Sequence, residues 1–273
     1  MGLTSAAGPF GEHPAGRFEP QLEHGGAVLY FEDDPRRIRA LFARATVVDS
    51  RRVKLLHETG KLPLYHFPEA DVRRDLLEPS GRTESSPLKG EARFWSMRVG
   101  ERVAPDAAWS WSHPMLAGYV ALEWSAMDEW FAEDDQLFGH PRDPYSRIDV
   151  HASTRHVRIT RGGVVLADTR RSRILFETGL PPRYYIPADD VRTELLVPSS
   201  KRTRCAYKGS ASYWSVRVGN ELVEDLVWSY PVPQHDAEPV RDLLCFFNER
   251  VDIELDDEAQ TRPQTQWSRD DDG

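Results

Sequence analysis

The chain has 273 residues, 40% hydrophobic and 29% charged, with a formal net charge of −9. No run of about 18 apolar residues could span a membrane, and the acidic balance argues against a general nucleic-acid binder, which needs a basic face. Two cysteines, Cys205 and Cys245, are too few for a disulfide framework or a cysteine-only zinc site.

Residues 1–34 read as a leader in which Ala27 to Phe31 has strand character. The start lacks a basic stretch followed by an apolar run, so no secretory signal is expected and a cytoplasmic location is. A first domain is expected over 35–140. Ile38 to Phe42 and Thr46 to Asp49 read as two β segments across a tight connection, followed by strands at Val53 to His57 and Leu64 to Phe67. Asp71 to Glu78 combines early acids, apolar spacing and a following proline, which predicts a short helix. Phe94, Ser96 and Arg98 then alternate with Trp95, Met97 and Val99, as a strand requires. Gly118 to Phe131 is amphipathic, with Trp124, Met127, Trp130 and Phe131 spaced for one helical face.

After a proline-marked linker over 141–153, the chain repeats itself 119 positions on. Asp49-Ser50-Arg51-Arg52 returns as Asp168-Thr169-Arg170-Arg171, and Glu58-Thr59-Gly60 as Glu177-Thr178-Gly179. Phe94-Trp95-Ser96 returns as Tyr213-Trp214-Ser215. A constant offset over this length signals a duplicated domain, expected over 154–262. In the second copy Gly162-Gly163 between β-branched runs predicts a hairpin, and Asp189 to Leu196 a second short helix. Residues 263–273, ending Asp270-Asp271-Asp272, are expected to be a disordered acidic tail.

The string Glu177-Thr178-Gly179, Tyr184-Tyr185-Ile186-Pro187, Asp190-Val191-Arg192, Cys205-Ala206-Tyr207-Lys208-Gly209 and Tyr213-Trp214-Ser215-Val216 closely resembles the bacterial DUF427 domain family. The first copy carries the same pattern more loosely, and the leader and linker look like those of its two-domain actinobacterial members. The resemblance implies a mainly β protein: two tandem homologous small β domains of Mss4-like, β-tent type with short helices. Relatives of that fold often bind zinc through two Cys-x-x-Cys pairs. This chain has no such pair, so no metal is carried over, and no other cofactor is indicated. Neither a Gly-x4-Gly-Lys-Ser/Thr phosphate loop nor an Asp-x-Asp metal pair supports nucleotidyl transfer.

Lys89 and Lys208 stand out in a chain where most of the 35 basic residues are arginine, because other lysines are exchanged between copies and this one is not. A point ammonium, or an amine that can lose its proton, is what guanidinium cannot supply. A lysine stem packed on a ring would also explain it. Cys205, three residues before Lys208, could be an activated thiol or a buried inert one. Glu58 and Glu177 could pair with the lysines or act as a general base, or merely close a turn. Tyr185, Tyr207 and Arg217 are candidate ligand contacts, Arg217 with Arg98 able to meet an anion, or surface and core residues. A small polar or anionic ligand in a pocket of the second copy is the favoured reading. The alternatives are an enzyme using Cys205, Lys208 and Glu177, and a structural or interaction module without ligand. Lys208 and Glu177 are expected to approach each other, as are Lys89 and Glu58. Oligomeric state is not legible.

Overall fold

The structure, a computed structural model, describes residues 2–5, 8–14, 16 and 27–268. It divides after Tyr145 into two compact units. The first contains β1 (Leu29–Asp34), β2 (Ile38–Phe42), β3 (Ala45–Ser50), β4 (Val53–Glu58), β5 (Leu64–Pro68), β6 (Leu77–Ser86), β7 (Gly90–Val99), β8 (Arg102–Trp111), β9 (Tyr119–Leu122), β10 (Glu129–Ala132) and β11 (Asp135–Leu137). Seven strands form a sheet in the order β1-β4-β5-β9-β8-β7-β6, and four form a second sheet, β11-β10-β2-β3.

The second unit repeats this topology. Its strands are β12 (Ile148–Ala152), β13 (Val157–Arg161), β14 (Val164–Thr169), β15 (Arg173–Glu177), β16 (Arg183–Ile186), β17 (Leu196–Cys205), β18 (Gly209–Val218), β19 (Glu221–Pro233), β20 (Leu244–Phe246), β21 (Asp252–Leu255) and β22 (Glu258–Gln260). They form sheets β12-β15-β16-β20-β19-β18-β17 and β14-β13-β21-β22. The fold is mainly β, as two tandem β domains. Among the described residues no helix is long and apolar enough to cross a membrane.

Strand alternation explains the layers. In the first unit Ile38, Ala40, Val53, Leu55, Tyr65, Phe67, Met97 and Trp130 point between the two sheets and form the main core. The opposite face of the seven-stranded sheet carries Leu56, Ala92, Phe94 and Trp111, a smaller cluster. The second unit has the same two clusters, around Ile159, Ile186 and Val216 on one face and Leu175, Tyr185, Tyr213 and Trp228 on the other.

Much of the repeated sequence serves this frame. Ser50 donates to Asp71 (2.7 Å) and accepts from the Arg52 backbone (3.0 Å); Thr169, Asp190 and Arg171 do the same in the second unit. Ser96 and Ser215 each sit at a bulge and accept the N–H of an aspartate in the facing strand, Asp106 or Asp225. Both aspartates have positive φ, so the hydroxyl holds a backbone turn that few residues adopt. Gly162 and Gly163, at φ 54° and 77°, close the expected β13–β14 hairpin.

Several expectations need correction. The segments read as short helices are pairs of three-residue 3-10 turns, Glu69–Asp71 with Arg74–Leu76 and Ala188–Asp190 with Thr193–Leu195. The cap residues Arg73 and Arg192 adopt ψ of 82° and 71°, which breaks each would-be helix in its middle. Gly118 to Phe131 is β9, a 3-10 turn at Trp124–Ala126 and β10; its aromatic spacing instead serves a parallel stack of Trp124 on Trp130, 4.6 Å apart. The strand character expected at Ala27 to Phe31 overlaps β1, which pairs with β4 at the sheet edge, and β12 pairs with β15 in the same way. Thr265 to Ser268 forms an ordered turn whose Thr265 hydroxyl donates to Glu249 (2.7 Å). The three closing aspartates of the expected tail lie outside the described residues.

Candidate functional site

Neighbouring strands in a sheet rotate by roughly 20–25°. Over the four steps from β4 to β7 the start of β7 therefore swings across the second face toward the end of β4. There Lys89, in the β6–β7 turn, donates to Glu58 at 2.7 Å. Lys61 reaches the other oxygen of Glu58 at 2.8 Å. Burial raises the Glu58 carboxyl, but the bonds from Lys61 and Lys89 outweigh it and hold it below its ordinary value. Lys89 is buried and its ammonium lies 4.4 Å from the Trp111 ring centre.

Above this ion triplet opens a cleft of about 280 Å³. Phe94 and Trp109 stack along one wall, 6.0 Å apart, with Leu56, Leu64 and Trp111 adding apolar surface. Arg82 covers Phe94 at 4.3 Å and pairs with Glu84 and Asp106. Glu123 closes the rim, accepting from the backbone and hydroxyl of Ser125 through one oxygen. On the same sheet but outside the cleft's lining, His66 shares a cross-strand row with Ala121 and Trp109. Its burial, opposed by a bond to the Leu64 carbonyl and aided by Lys89, depresses its pKa to about 4.

The second unit has the same skeleton and a different filling. Lys208 pairs with Glu177, both side chains largely buried, so the structure brings the two residues together. Leu180 stands where the first copy has Lys61, leaving Glu177 with one cation. Tyr185 and Tyr207 are buried, at 0% and 2% exposure, and so do not face solvent. Tyr185 accepts from the Trp228 indole at 3.2 Å. Phe247 lies 4.5 Å from the Trp228 ring where the first copy has Glu123. Arg183 replaces Leu64 and forms two 2.7 Å bonds to Glu249. Trp267 packs 5.4 Å from the Arg183 guanidinium. A cleft of about 250 Å³ in this unit lies elsewhere, lined by Pro182, Tyr184, Asn248 and Arg262, and none of the expected site residues borders it. In the first copy the described cleft lies over the Lys89–Glu58 pair.

The remaining candidates stand apart. Cys205 is half-buried at the end of β17 and is not hydrogen-bonded to Lys208, whose ammonium is taken by Glu177. Cys245 is buried, which pushes its thiol well above the ordinary value. Arg217 is exposed, nine residues along β18 from Lys208, or about 30 Å at strand rise. Among the described residues no group of three or more His, Cys, Asp or Glu is placed to hold a metal ion. Sequence reasoning missed Trp109, Glu123 and Lys61. Only the last left a signal, as a lysine the second copy lacks.

The sequence profile of a family described as a domain of unknown function (DUF427) matches residues 30–133 and again 149–257. No curated protein matches the chain.

Proposed function

This chain belongs to the DUF427 family as a tandem pair of its domains, and from that premise we propose that it is a binding protein for a small polar metabolite, held in the cleft of its first unit. The carrying observation is one face with two fillings. In the first unit Leu64, Glu123 and Trp109 border open space; at the matching positions Arg183, Phe247 and Trp228 pack on one another or on Trp267. A cleft with aromatic walls and a few convergent polar groups is the usual form of a small-molecule site, and about 280 Å³ limits the occupant to a small compound.

In this reading Lys89 and Glu58 are floor residues that fix each other, and Lys208 and Glu177 are their structural counterparts. An enzyme with Cys205 or Lys208 as nucleophile has less support, because Lys208 is engaged by Glu177 and neither residue borders either described cleft. Two cysteines that form no disulfide suit a reducing cytoplasm, and the net charge of −9 suits a partner other than nucleic acid. The two-sheet architecture suits the Mss4-like relationship that the family resemblance implies.

The test is a calorimetric and thermal-shift screen of a metabolite library against the full chain, Trp109→Ala and Trp228→Ala. The expected result is a ligand whose binding is lost in Trp109→Ala and kept in Trp228→Ala. Loss confined to Trp228→Ala would return the site to the second unit. A library without a ligand would favour the structural module.

A further inference from the structure

Given the reading that the first unit's cleft is a binding site, its charges and rings select the class of compound it takes. The charged lining comprises Lys61, Arg82 and Lys89 against Glu58, Glu84, Asp106 and Glu123. Lys61 and Lys89 share Glu58, and Arg82 takes Glu84 and Asp106. Glu123 has no cation of its own among the described residues; its Oε1 accepts from Ser125. An anion would have to break an existing pair and enter a lining with one carboxylate in excess. The balance favours a cation.

The rings of the cleft follow one arrangement. The Lys89 ammonium lies 4.4 Å from the Trp111 ring centre and is held by Glu58. The Arg82 guanidinium lies 4.3 Å from the Phe94 ring centre and pairs with Asp106. The second copy repeats the latter as Lys201 over Tyr213 at 4.8 Å, paired with Asp225. In each case a cation rests over an aromatic ring and a carboxylate balances its charge. Trp109 is the third ring of the cleft, and no cation of the first unit lies over it among the described residues. Glu123 is its diagonal neighbour: Trp109 pairs with Ala121 across the strands, and the Glu123 amide donates to the Ala107 carbonyl at 2.8 Å. Side chains in that relation are within reach of each other when they are long or aromatic.

The second unit carries the missing cation in its own chain. Trp228 matches Trp109, and the Arg183 guanidinium lies over it, 5.6 Å from the ring centre. Trp267 lies 5.4 Å from the same guanidinium, and Glu249 binds it through two 2.7 Å contacts. The first copy has Leu64 in place of Arg183 and Ser125 in place of Glu249, and Leu64 and Trp109 both border open space. A carboxylate nonetheless returns to Ser125, whose hydroxyl (2.8 Å) and backbone N–H (3.3 Å) both donate to Glu123. The first unit thus keeps the ring and a carboxylate and omits the cation. We propose that its cleft binds a small organic cation of guanidinium or alkylammonium type, the charged head over the Trp109 ring and beside Glu123. Glu123 stands at the exposed rim and contributes charge, while the ring contributes the contact. Arg183 fills the equivalent place in the second unit and closes it to the same compound.

The experiment titrates the 15N-labelled full chain with agmatine and choline as cationic probes, myo-inositol as the neutral one and succinate as the anionic one. The Trp109 indole resonance is assigned by its loss in Trp109→Phe, and affinities come from calorimetry. The expected result is a saturable shift of that resonance with agmatine or choline and with neither of the other probes. Glu123→Gln, which keeps an acceptor for Ser125 and removes the charge, should weaken the bound cation about threefold to fivefold. The double change Leu64→Arg with Ser125→Glu, which installs the second unit's internal pair, should abolish binding. Glu123→Gln alters only the rim and stands if the double variant fails to fold. Cation binding unchanged in Glu123→Gln, or kept in a folded double variant, would overturn the proposal. Tighter binding of inositol or succinate than of either cation, with the Trp109 resonance still moving, would overturn the ligand class and leave the cleft as a site. No shift with either cation would also overturn the class, and only an empty library screen would remove the cleft reading as well.

Discussion

Arg183 and Glu249 form a two-point ion pair, 2.7 Å at each contact, with side-chain exposures of 7% and 0%, where the first copy has Leu64 and Ser125. Burial opposes the arginine's charge, and the bonds to Glu249 outweigh it. A pair this deep is expensive to break singly and nearly neutral to remove whole. Arg183→Leu alone should cost the second unit about 3–5 kcal/mol by leaving the glutamate uncompensated. The double change Arg183→Leu with Glu249→Ser, which installs the first copy's residues, should recover most of it. Urea denaturation of the three variants measures the coupling.

The two conserved lysines should respond unequally to removal. Lys89→Ala leaves Glu58 with Lys61, whereas Lys208→Ala strips Glu177 of its cation in a site where its side chain is 5% exposed. The expected loss is below about 1 kcal/mol for Lys89→Ala, where a partner remains, and several-fold larger for Lys208→Ala. Equal losses would mean that Lys61 does not compensate.

His66 makes stability depend on pH. Its pKa falls from an ordinary 6.5 to about 4 in the fold, so between those values the unfolded chain binds more protons than the native one. Stability should therefore fall as pH drops from 6.5 toward 4, by up to about 3 kcal/mol at 1.36 kcal/mol per pH unit. Glu58, held below its ordinary value by Lys61 and Lys89, adds a loss in the same direction at lower pH. Melting curves of the native chain and His66→Phe across this range should diverge toward alkaline pH and converge toward pH 4 once each is referenced to its own acid value. Parallel curves would mean His66 titrates normally.

Gly209 has φ of 98°, and a methyl group there would meet the Val232 carbonyl oxygen at 2.7 Å and the Gln234 nitrogen at 3.1 Å. Both obstacles are backbone, so they cannot swing aside. Gly209→Ala should destabilise the second unit by about 1–3 kcal/mol. At the matching Gly90 the nearest obstacle is the Ser112 side chain, and Gly90→Ala should cost less. Thermal melting of the two variants provides the comparison.

The duplication, the β character and the lysine–glutamate pairs were legible because both copies hold them at one offset and because strands write their faces into every second residue. Trp95, Met97 and Val99 pack on the main core while Phe94 faces the other way. The expected helices show where local pattern misleads. Asp71 to Glu78 has acid and apolar spacing fit for a helix, yet Asp71 is fastened to Ser50 and Arg52, and that tertiary anchor sets the backbone. The location of the cleft was not legible. It turns on Glu123 against Phe247, and by then the offset has changed: Trp109 pairs with Ala121 as Trp228 does with Cys245, a spacing of 124 instead of 119. Residues aligned at the earlier offset do not reveal that exchange.

That longer return in the second copy has a bearing on how a tandem protein avoids tangling itself. Similar neighbouring domains risk exchanging strands while both are partly folded. Here the extra residues extend β19 to thirteen residues and add the 3-10 turn His235–Val240, with Ala237 and Val240 buried beneath it. A hairpin from one copy offered to the other would therefore arrive out of step. Arg183 inserted beside Ser125 would also bury a charge without its glutamate. Divergence of the two copies thus disfavours the exchange of strands between them.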